Sequence, residues 1–392
     1  MGVLLPDDNT AVPESLAAYR RRGGYQGYAR ACRLEPDALI AEVEAAELVG
    51  RGGAGFPTGA KWRMVAAGPL PHHLVVNGAE GEPGAMKDRT LMARAPHRVL
   101  EGLLIAARAI RAHRVLFYLN DEFTDAITAL KDAWQECARA GLADVDLHFV
   151  PETHVYIAGE ETALLSVLMK GPAQPWHKPP YPSEKGYQGE PTAVNNVETL
   201  AAVALVLERG AKAFAAERPM LFSVSGDVRR PGVYEAPEGI LLSTLLERAG
   251  GPPAGQQIVA VLPGGYSMPP ITADRFEVPL SPGQLRQLGT GLGASLIAVG
   301  SERGFGQLGH DIMAFFARET CGKCPVCVKG CQVLRDGFEP YLTRPPSAEG
   351  REALLLTAKK YRHKGICSFL DTAARVAESL VPLMAPAERS SV

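Results

Sequence analysis

From His73 to Met169 the sequence alternates short apolar runs with longer amphipathic stretches, and this alternation limits the possible fold more than any other feature. His73-Leu-Val-Val-Asn77 and Arg114-Val-Leu-Phe-Tyr-Leu119 read as short buried strands, and a third strand is expected near Val145 to Val150. Val99 to Ile110, Asp121 to Ala140 and Glu161 to Met169 carry the spacing of helices. Such a repeat builds an α/β domain with a largely parallel sheet. Ligands of these sheets bind outside the carboxyl ends of the strands. Two polar loops fall there: Asn77-Gly-Ala-Glu-Gly-Glu-Pro-Gly84 after the first strand, and Tyr156-Ile-Ala-Gly-Glu-Glu161 just before a helix.

Each loop carries two carboxylates, Glu80 with Glu82 and Glu160 with Glu161. Paired carboxylates suit a hydrolase. Adjacent glutamates at a helix start also serve simply as partners of the helix dipole. Trp176-His-Lys-Pro-Pro-Tyr-Pro182 is rigid, aromatic and basic, and taken alone reads equally well as a connector. Asn195 and Asn196 precede an apolar helix, where they suit capping or hydrogen bonding to a heterocycle or ribityl chain.

Upstream, Gly50-Arg-Gly-Gly-Ala-Gly-Phe-Pro-Thr-Gly-Ala-Lys-Trp62 gathers bare backbone, aromatic rings and a cation in one turn-rich stretch. Free N–H groups of such glycines form an anion-binding concavity, and Lys61 adds positive charge beside it. The spacing Gly50-x-Gly52-x-x-Gly55 matches a dinucleotide fingerprint, which requires a preceding strand. Leu39, Ile40, Val43, Ala46 and Leu48 follow helical spacing instead, so a helix enters this loop. No Gly-Lys-Ser or Gly-Lys-Thr occurs there, which excludes a Walker A loop.

A net charge of -2 over 392 residues gives no electrostatic reason to expect nucleic acid or an anionic membrane surface. The longest apolar run, Leu200 to Leu207, is too short to span a bilayer, and the start lacks a basic n-region, so a cytoplasmic location is expected. Composition shifts near residue 216. Met220 to Val228 and Gly232 to Glu235 read as strands joined by a Pro-Gly turn, followed by a helix over Leu241 to Ala249 and short strands near Gln257 and Leu296, as in a compact β-grasp module. Gly289-x-Gly291-x-Gly293 reads as a loop, because no helix starts in register with it. From Phe305 helical spacing dominates, with further helices over residues 329–340, 347–362 and 369–382, so a small bundle closes the chain.

Seven cysteines are unevenly spread, with Cys32 and Cys137 isolated. Cys321-x-x-Cys324-x-x-Cys327 delivers three thiols from one turn, suited to three corners of a cubane cluster rather than to disulfides. Cys331 and Cys367 both compete for the fourth corner. A zinc site of three cysteines with a fourth cysteine or His363 is the metal alternative.

With the glycine loop and the cysteines in view, the chain resembles the NADH-oxidising flavoprotein subunits of respiratory complex I and of NAD-linked hydrogenases and formate dehydrogenases. The likeness runs nearly end to end through Gly50 to Gly59 with Lys61-Trp62, Asn77 to Asp88, Gly159-Glu-Glu-Thr-Ala-Leu-Leu165, Lys178-Pro-Pro, Val194-Asn-Asn-Val-Glu-Thr-Leu200, Ser225-Gly-x-Val, Arg230-Pro-Gly-Val-Tyr234, and Glu319 to Cys327 with Cys367. It implies a Rossmann-like FMN and NADH domain over residues 1–215, a β-grasp domain of the soluble-ligand-binding type over 216–302, and a helical bundle over 303–392 holding one [4Fe–4S] cluster. Gly52, Lys61, Asn77, Glu80, Tyr156, Gly159, Glu160, Asn195 and Asn196 are implied around FMN, and Gly50 is a further cofactor-binding candidate. Phe56, Glu82, Glu161, Lys178 and Tyr181 are implied around NADH. Glu160 and Glu161 are the candidate catalytic pair, positioning the nicotinamide and biasing the flavin's charge. Cys321, Cys324, Cys327 and Cys367 are the implied cluster ligands, which leaves Cys331 supernumerary.

The implied activity is hydride transfer from NADH to FMN, followed by single electrons through the cluster to an iron–sulfur, ferredoxin-like acceptor protein. No membrane insertion of its own is implied, only peripheral attachment through partners. Three positions depart from the family pattern. Met64 stands where an aromatic ring is usual, Ala79 replaces an aspartate, and Ala158 a cysteine. Met64 and Ala79 motivate one alternative, a relay or assembly subunit that keeps FMN and cluster without using NADH; a non-redox zinc-bundle protein with a ligand-binding β-grasp domain is a further reading.

Overall fold

The computed structural model describes residues 2–6, 12–152 and 155–384. Its first sheet has four parallel strands, β1 (His72–Gly78), β2 (Ala112–Asn120), β3 (Leu147–Glu152) and β4 (Thr192–Asn196), in the order β3-β2-β1-β4. The pleat sends alternate side chains to opposite faces. Leu74, Val76, Val115, Phe117 and Leu119 enter one core with the helices Pro96–Ala109, Thr124–Arg139 and Val197–Arg209. Val75, Leu116, Tyr118 and Val194 enter another with the helix Glu161–Leu168. Burial on both faces accounts for the nearly unbroken apolar runs of β1 and β2.

The expected alternation of strands and helices holds, with one strand added. Thr192 to Asn196 is a strand rather than only a helix cap, pairing along β1. Its sequence signal is weak because it is short and ends in two amides. The chain steps from β1 to β2 to β3 with helices on one face, then crosses back past β1 to β4 with Glu161–Leu168 on the other. Strand order therefore reverses between β1 and β4, and a crevice opens at their carboxyl ends. Register sets Asn77 of β1 beside Asn196 of β4.

The second sheet contains β5 (Pro219–Gly226), β6 (Gly232–Pro237), β7 (Ile258–Tyr266), β8 (Ile271–Thr272) and β9 (Ser295–Gly300), in the order β6-β5-β9-β7-β8. Only β5 and β9 run parallel. Phe222, Val224, Leu296 and Ala298 pack on the helix Leu242–Arg248. The opposite face, through Ala260, Leu262, Ile297 and Val299, shares a core with Leu308, Ile312 and Phe316 of the helix Phe305–Arg318. The helices Pro325–Phe338, Ala348–Tyr361 and Phe369–Leu380 complete the expected bundle. Residues 289–293 are irregular, lying between the helix Pro282–Gln287 and β9. No helix among the described residues is long and apolar enough to cross a membrane.

Candidate cofactor cleft and cysteine pocket

The glycine stretch is entered by the helix Pro36–Ala45, as its spacing indicates. It divides into a loop and a helix, where the sequence suggests one turn-rich segment. Gly50 N–H donates to Phe56 O at 2.9 Å and Thr58 N–H to Leu48 O at 2.8 Å, and the helix Thr58–Ala66 starts directly after Pro57. Trp62 consequently turns inward, fully buried, and its Nε1–H donates to Asn195 Oδ1 at 2.9 Å. Lys61, one residue earlier, faces the crevice, where Nζ donates to Val194 O at 3.0 Å and lies 3.4 Å from Glu161 Oε2.

Two connected cavities occupy the crevice. The outer one, about 620 Å³, is lined by Gly50, Gly52, Phe56, Lys61, Met64, Asn77, Gly159, Glu160, Glu161, Lys178, Tyr181, Asn195 and Asn196. The inner one, about 470 Å³, shares Gly52, Asn77, Gly159, Glu160 and Asn196 with it and adds Ala79, Glu80, Glu82 and Tyr156. Every candidate residue outside the cysteine group therefore lines one or both. Phe56 and Tyr181 present large rings to the outer cavity, 45% and 49% exposed. Thr199, Asp88, Ser368 and Arg375 line the cleft without having been singled out by sequence. Thr199 was within reach of such reasoning, since it lies one turn beyond Asn196 and its Oγ1 accepts from Arg51 N–H at 2.9 Å. Ser368 and Arg375 come from the bundle and leave no local signal.

The acidic pair divides its work. Glu160 caps the helix Glu161–Leu168, accepting from Thr162 N–H at 2.8 Å and Ala163 N–H at 3.0 Å. Its other oxygen accepts from Lys178 Nζ at 3.0 Å, while Glu161 accepts from the same Nζ at 2.7 Å. Lys61, Glu161, Lys178 and Glu160 thus alternate in charge along one wall. Burial pushes the Glu161 carboxyl up, but Lys61 and Lys178 together outweigh it and hold Glu161 below the usual carboxylate range. Burial likewise opposes the charge on Lys178, and its two carboxylate partners more than restore it. So the capping role and the ligand-facing charges coexist.

Deeper in, Glu80 accepts from Asp88 N–H at 2.8 Å and Arg89 N–H at 3.1 Å at the start of the helix Lys87–Arg94. Burial, reinforced by Asp88, pushes its carboxyl up to about 7 against the pull of Lys87 and those two N–H donors. Buried Lys87 donates to Asp88 Oδ1 at 2.7 Å and forms an ion pair with Glu198 at 2.8 Å. Asn196 caps the helix Val197–Arg209 and donates to Asp88 Oδ2 at 2.7 Å, so capping and site-building again fall to one residue. Glu82 reaches the second sheet, accepting from Tyr156 Oη at 2.7 Å, Ser267 Oγ at 2.8 Å and Tyr266 N–H at 2.8 Å. Asn77 Nδ2 donates to Gly159 O at 3.0 Å and ties the two acidic loops together.

Cys321, Cys324, Cys327 and Cys367 line one further cavity with Ile157, Pro175, Ile366 and Phe369. All four thiols are free. Cys331 is wholly buried outside that lining. His363, the alternative zinc ligand, is absent from the lining too, and its Nδ1 lies 3.4 Å from Asp371. Among the described residues no three His, Cys, Asp or Glu side chains converge as a single ion requires. Cys367, Ile157 and Phe369 form the wall shared with the inner cavity.

These residues fit the groups the sequence implies. Gly53 and Gly55 hold φ of +105° and +65° with open space where side chains would project, leaving the loop backbone bare toward a ligand. Lys61 and three amides stand around it, a donor set suited to a phosphate and a polyol chain. Four thiols around an otherwise apolar cavity suit an iron–sulfur cubane.

Comparison with known proteins agrees. Residues 43–205 match the Nuo51 FMN-binding domain, 221–270 the SLBB domain, and 307–385 the NADH-ubiquinone oxidoreductase-F iron-sulfur binding region. Fold and site together define a flavin- and iron–sulfur-binding NADH dehydrogenase component. The chain is 38% identical to the second F-type subunit of the NADH-quinone oxidoreductase of Rhizobium meliloti (strain 1021), covering 93% of this chain and 92% of that one. It is 32% identical to the F-type subunit of the NADH-quinone oxidoreductase of Aquifex aeolicus (strain VF5), covering 92% and 88%. An NAD+-reducing [NiFe]-hydrogenase in the H2-reduced state superposes with a TM-score of 0.83 at 33% identity, over 95% of this chain and 66% of that chain. The chain belongs to the family of NADH-quinone oxidoreductase F-type subunits, and the resemblance read from its motifs is confirmed.

Proposed function

We propose that this chain binds NADH in the outer cavity, FMN across the outer and inner cavities, and a [4Fe–4S] cluster among Cys321, Cys324, Cys327 and Cys367, and that it passes electrons from NADH singly to a partner protein. The observation that carries this reading is the series of three cavities with shared walls, ending on Cys367. When bound, FMN supplies a hydride acceptor and the cluster a one-electron carrier. The chain's own residues orient and shield. Phe56 and Tyr181 offer ring faces to adenine. The bare loop at Gly52 and the Lys61 cation meet phosphate, while Asn77, Asn195 and Asn196 face polar ligand edges. Glu160 and Glu161 keep Lys178 in place and set the charge beside the nicotinamide. We assign these roles to units spanning residues 1–215, 216–302 and 303–392, whose outer termini lie outside the described residues.

The acceptor is proposed to be an iron–sulfur, ferredoxin-like protein with an acidic face, with this chain cytoplasmic and attached peripherally through its partners. Lys323, Lys329 and Lys364 are exposed in or beside the segments lining the cysteine cavity, and none forms an ion pair among the described residues. Rates of transfer to an acidic ferredoxin should fall with rising salt and fall further in Lys364→Glu.

The deciding experiment adds NADH to protein reconstituted with FMN and cluster. Bleaching of flavin absorption and reduction of ferricyanide are expected, and absence of both ends the reading. The departure at Met64, 46% exposed on the outer cavity, favours one second reading, a relay that binds FMN but ignores NADH. Flavin that stays oxidised with NADH yet is reduced by a ferredoxin would select it.

A further inference from the structure

Ser368, Asp371, Thr372 and Arg375 line the inner cavity from the helix Phe369–Leu380 and its N-cap, at intervals that share one helix face. Ala373, Ala374, Val376 and Ala377 of the same helix enter the bundle core instead. We infer that Arg375 faces the flavin ring of bound FMN and favours its reduced, negatively charged form. This rests on the FMN reading above. Five carboxylates line the cavity, and Arg375 is the sole basic side chain among its described lining residues. Each carboxylate is already engaged. Backbone N–H groups hold Glu80, and the hydroxyls of Tyr156 and Ser267 hold Glu82. Asp88, Glu160 and Asp371 pair with Lys87, Lys178 and Arg362, none of which lines the cavity. Arg375 has only weak contacts: its Nη2 donates to Ser267 O at 3.3 Å and to Met268 Sδ at 3.6 Å, and its Nε is buried without a partner.

A guanidinium with donors to spare in a cavity suits an acceptor that arrives with the ligand. Lys61 lines the outer cavity and not the inner one, which gives the phosphate its cation there; Arg375 lines the inner and not the outer. The inner cavity also shares Cys367 and Phe369 with the cysteine cavity, so its end suits the ring that yields electrons rather than the phosphate. Hydride transfer from NADH brings two electrons and one proton to the flavin, which gains one negative charge along the pyrimidine edge of the ring. A cation fixed beside that edge stabilises the reduced form more than the neutral oxidised ring, and a partly enclosed site strengthens the difference. The flavin potential therefore rises.

The test uses full-length protein carrying the cluster, with iron content and unfolding temperature as checks on the fold. FMN affinity is measured by fluorescence quenching for the oxidised and reduced forms, and the flavin potential by titration followed at the flavin absorption band. Arg375→Gln and Arg375→Met should bind oxidised FMN nearly as wild type, bind reduced FMN about tenfold more weakly, and titrate at a more negative potential. Arg375→Lys, which keeps the charge, should fall in between. A flavin potential unchanged in both uncharged variants overturns the inference. Equal weakening of both forms overturns it too, since that marks a phosphate contact or a merely structural role. Wild-type protein that binds no FMN would instead refute the FMN reading itself.

Discussion

Glu161 stands between two lysines on the cleft wall, and its depressed carboxyl makes that arrangement pH-sensitive. A carboxylate held below its unfolded value stabilises the fold fully above about pH 4.5, and the contribution is lost as pH falls through the depressed value. Glu161→Gln should cost about 1 kcal/mol at neutral pH. In urea unfolding measured at successive pH values, its gap from wild type should narrow toward acid; a constant gap would refute the ion-pair account. The cysteines supply a second prediction at this scale. Cys367→Ser should lose the visible absorption and iron of the cluster, and Cys331→Ser should keep both. The opposite result would exchange their roles.

Among the elements, the close approach of the helices Pro96–Ala109 and Val197–Arg209 depends on one missing side chain. A Cβ on Gly102 would lie 1.8 Å from the Leu200 carbonyl oxygen, a backbone atom that no rotamer change can move. Gly102→Ala should therefore destabilise by about 3 kcal/mol in urea unfolding, despite the better helix propensity of alanine. Gly283, in the helix Pro282–Gln287, meets nothing within 4 Å of a built Cβ. Gly283→Ala should gain up to about 1 kcal/mol. Equal effects at the two glycines would show that packing does not discriminate between them. The N-cap of the helix Val197–Arg209, Asn196, lines the cleft, as does Glu160, the N-cap of the helix Glu161–Leu168. The register of Val197–Arg209 therefore fixes where Thr199 and Asn196 face the ligand.

Across the whole molecule, buried polar contacts join units that the sequence presents separately. Lys87 neutralises Asp88 and Glu198, and Glu198 in turn accepts from Leu221 N–H of β5 at 2.9 Å. Lys87→Met leaves two carboxylates buried without their cation and should cost about 3–5 kcal/mol. Thermal unfolding would show it, and a shift within experimental error would mean that water reaches the network. The alternating strands and helices, the helix entering the glycine loop, the β-grasp pattern and the cysteine spacing were all legible in the chain, because each is a local matter of periodicity or covalent separation. Motifs that stay together in sequence also supplied much of the cleft lining, though not Ser368 and Arg375 of the bundle. Strand β4 was not legible, since its pairing depends on an edge of β1 more than a hundred residues away. The inward turn of Trp62, the reach of Glu82 into the second sheet and the wall shared through Cys367 were likewise decided only by tertiary structure. The sequence by itself determined which chemical groups are present and in what local order. Packing decided which of them face the cavities and which are consumed in holding the fold, because a side chain's direction is set by neighbours that local sequence does not contain.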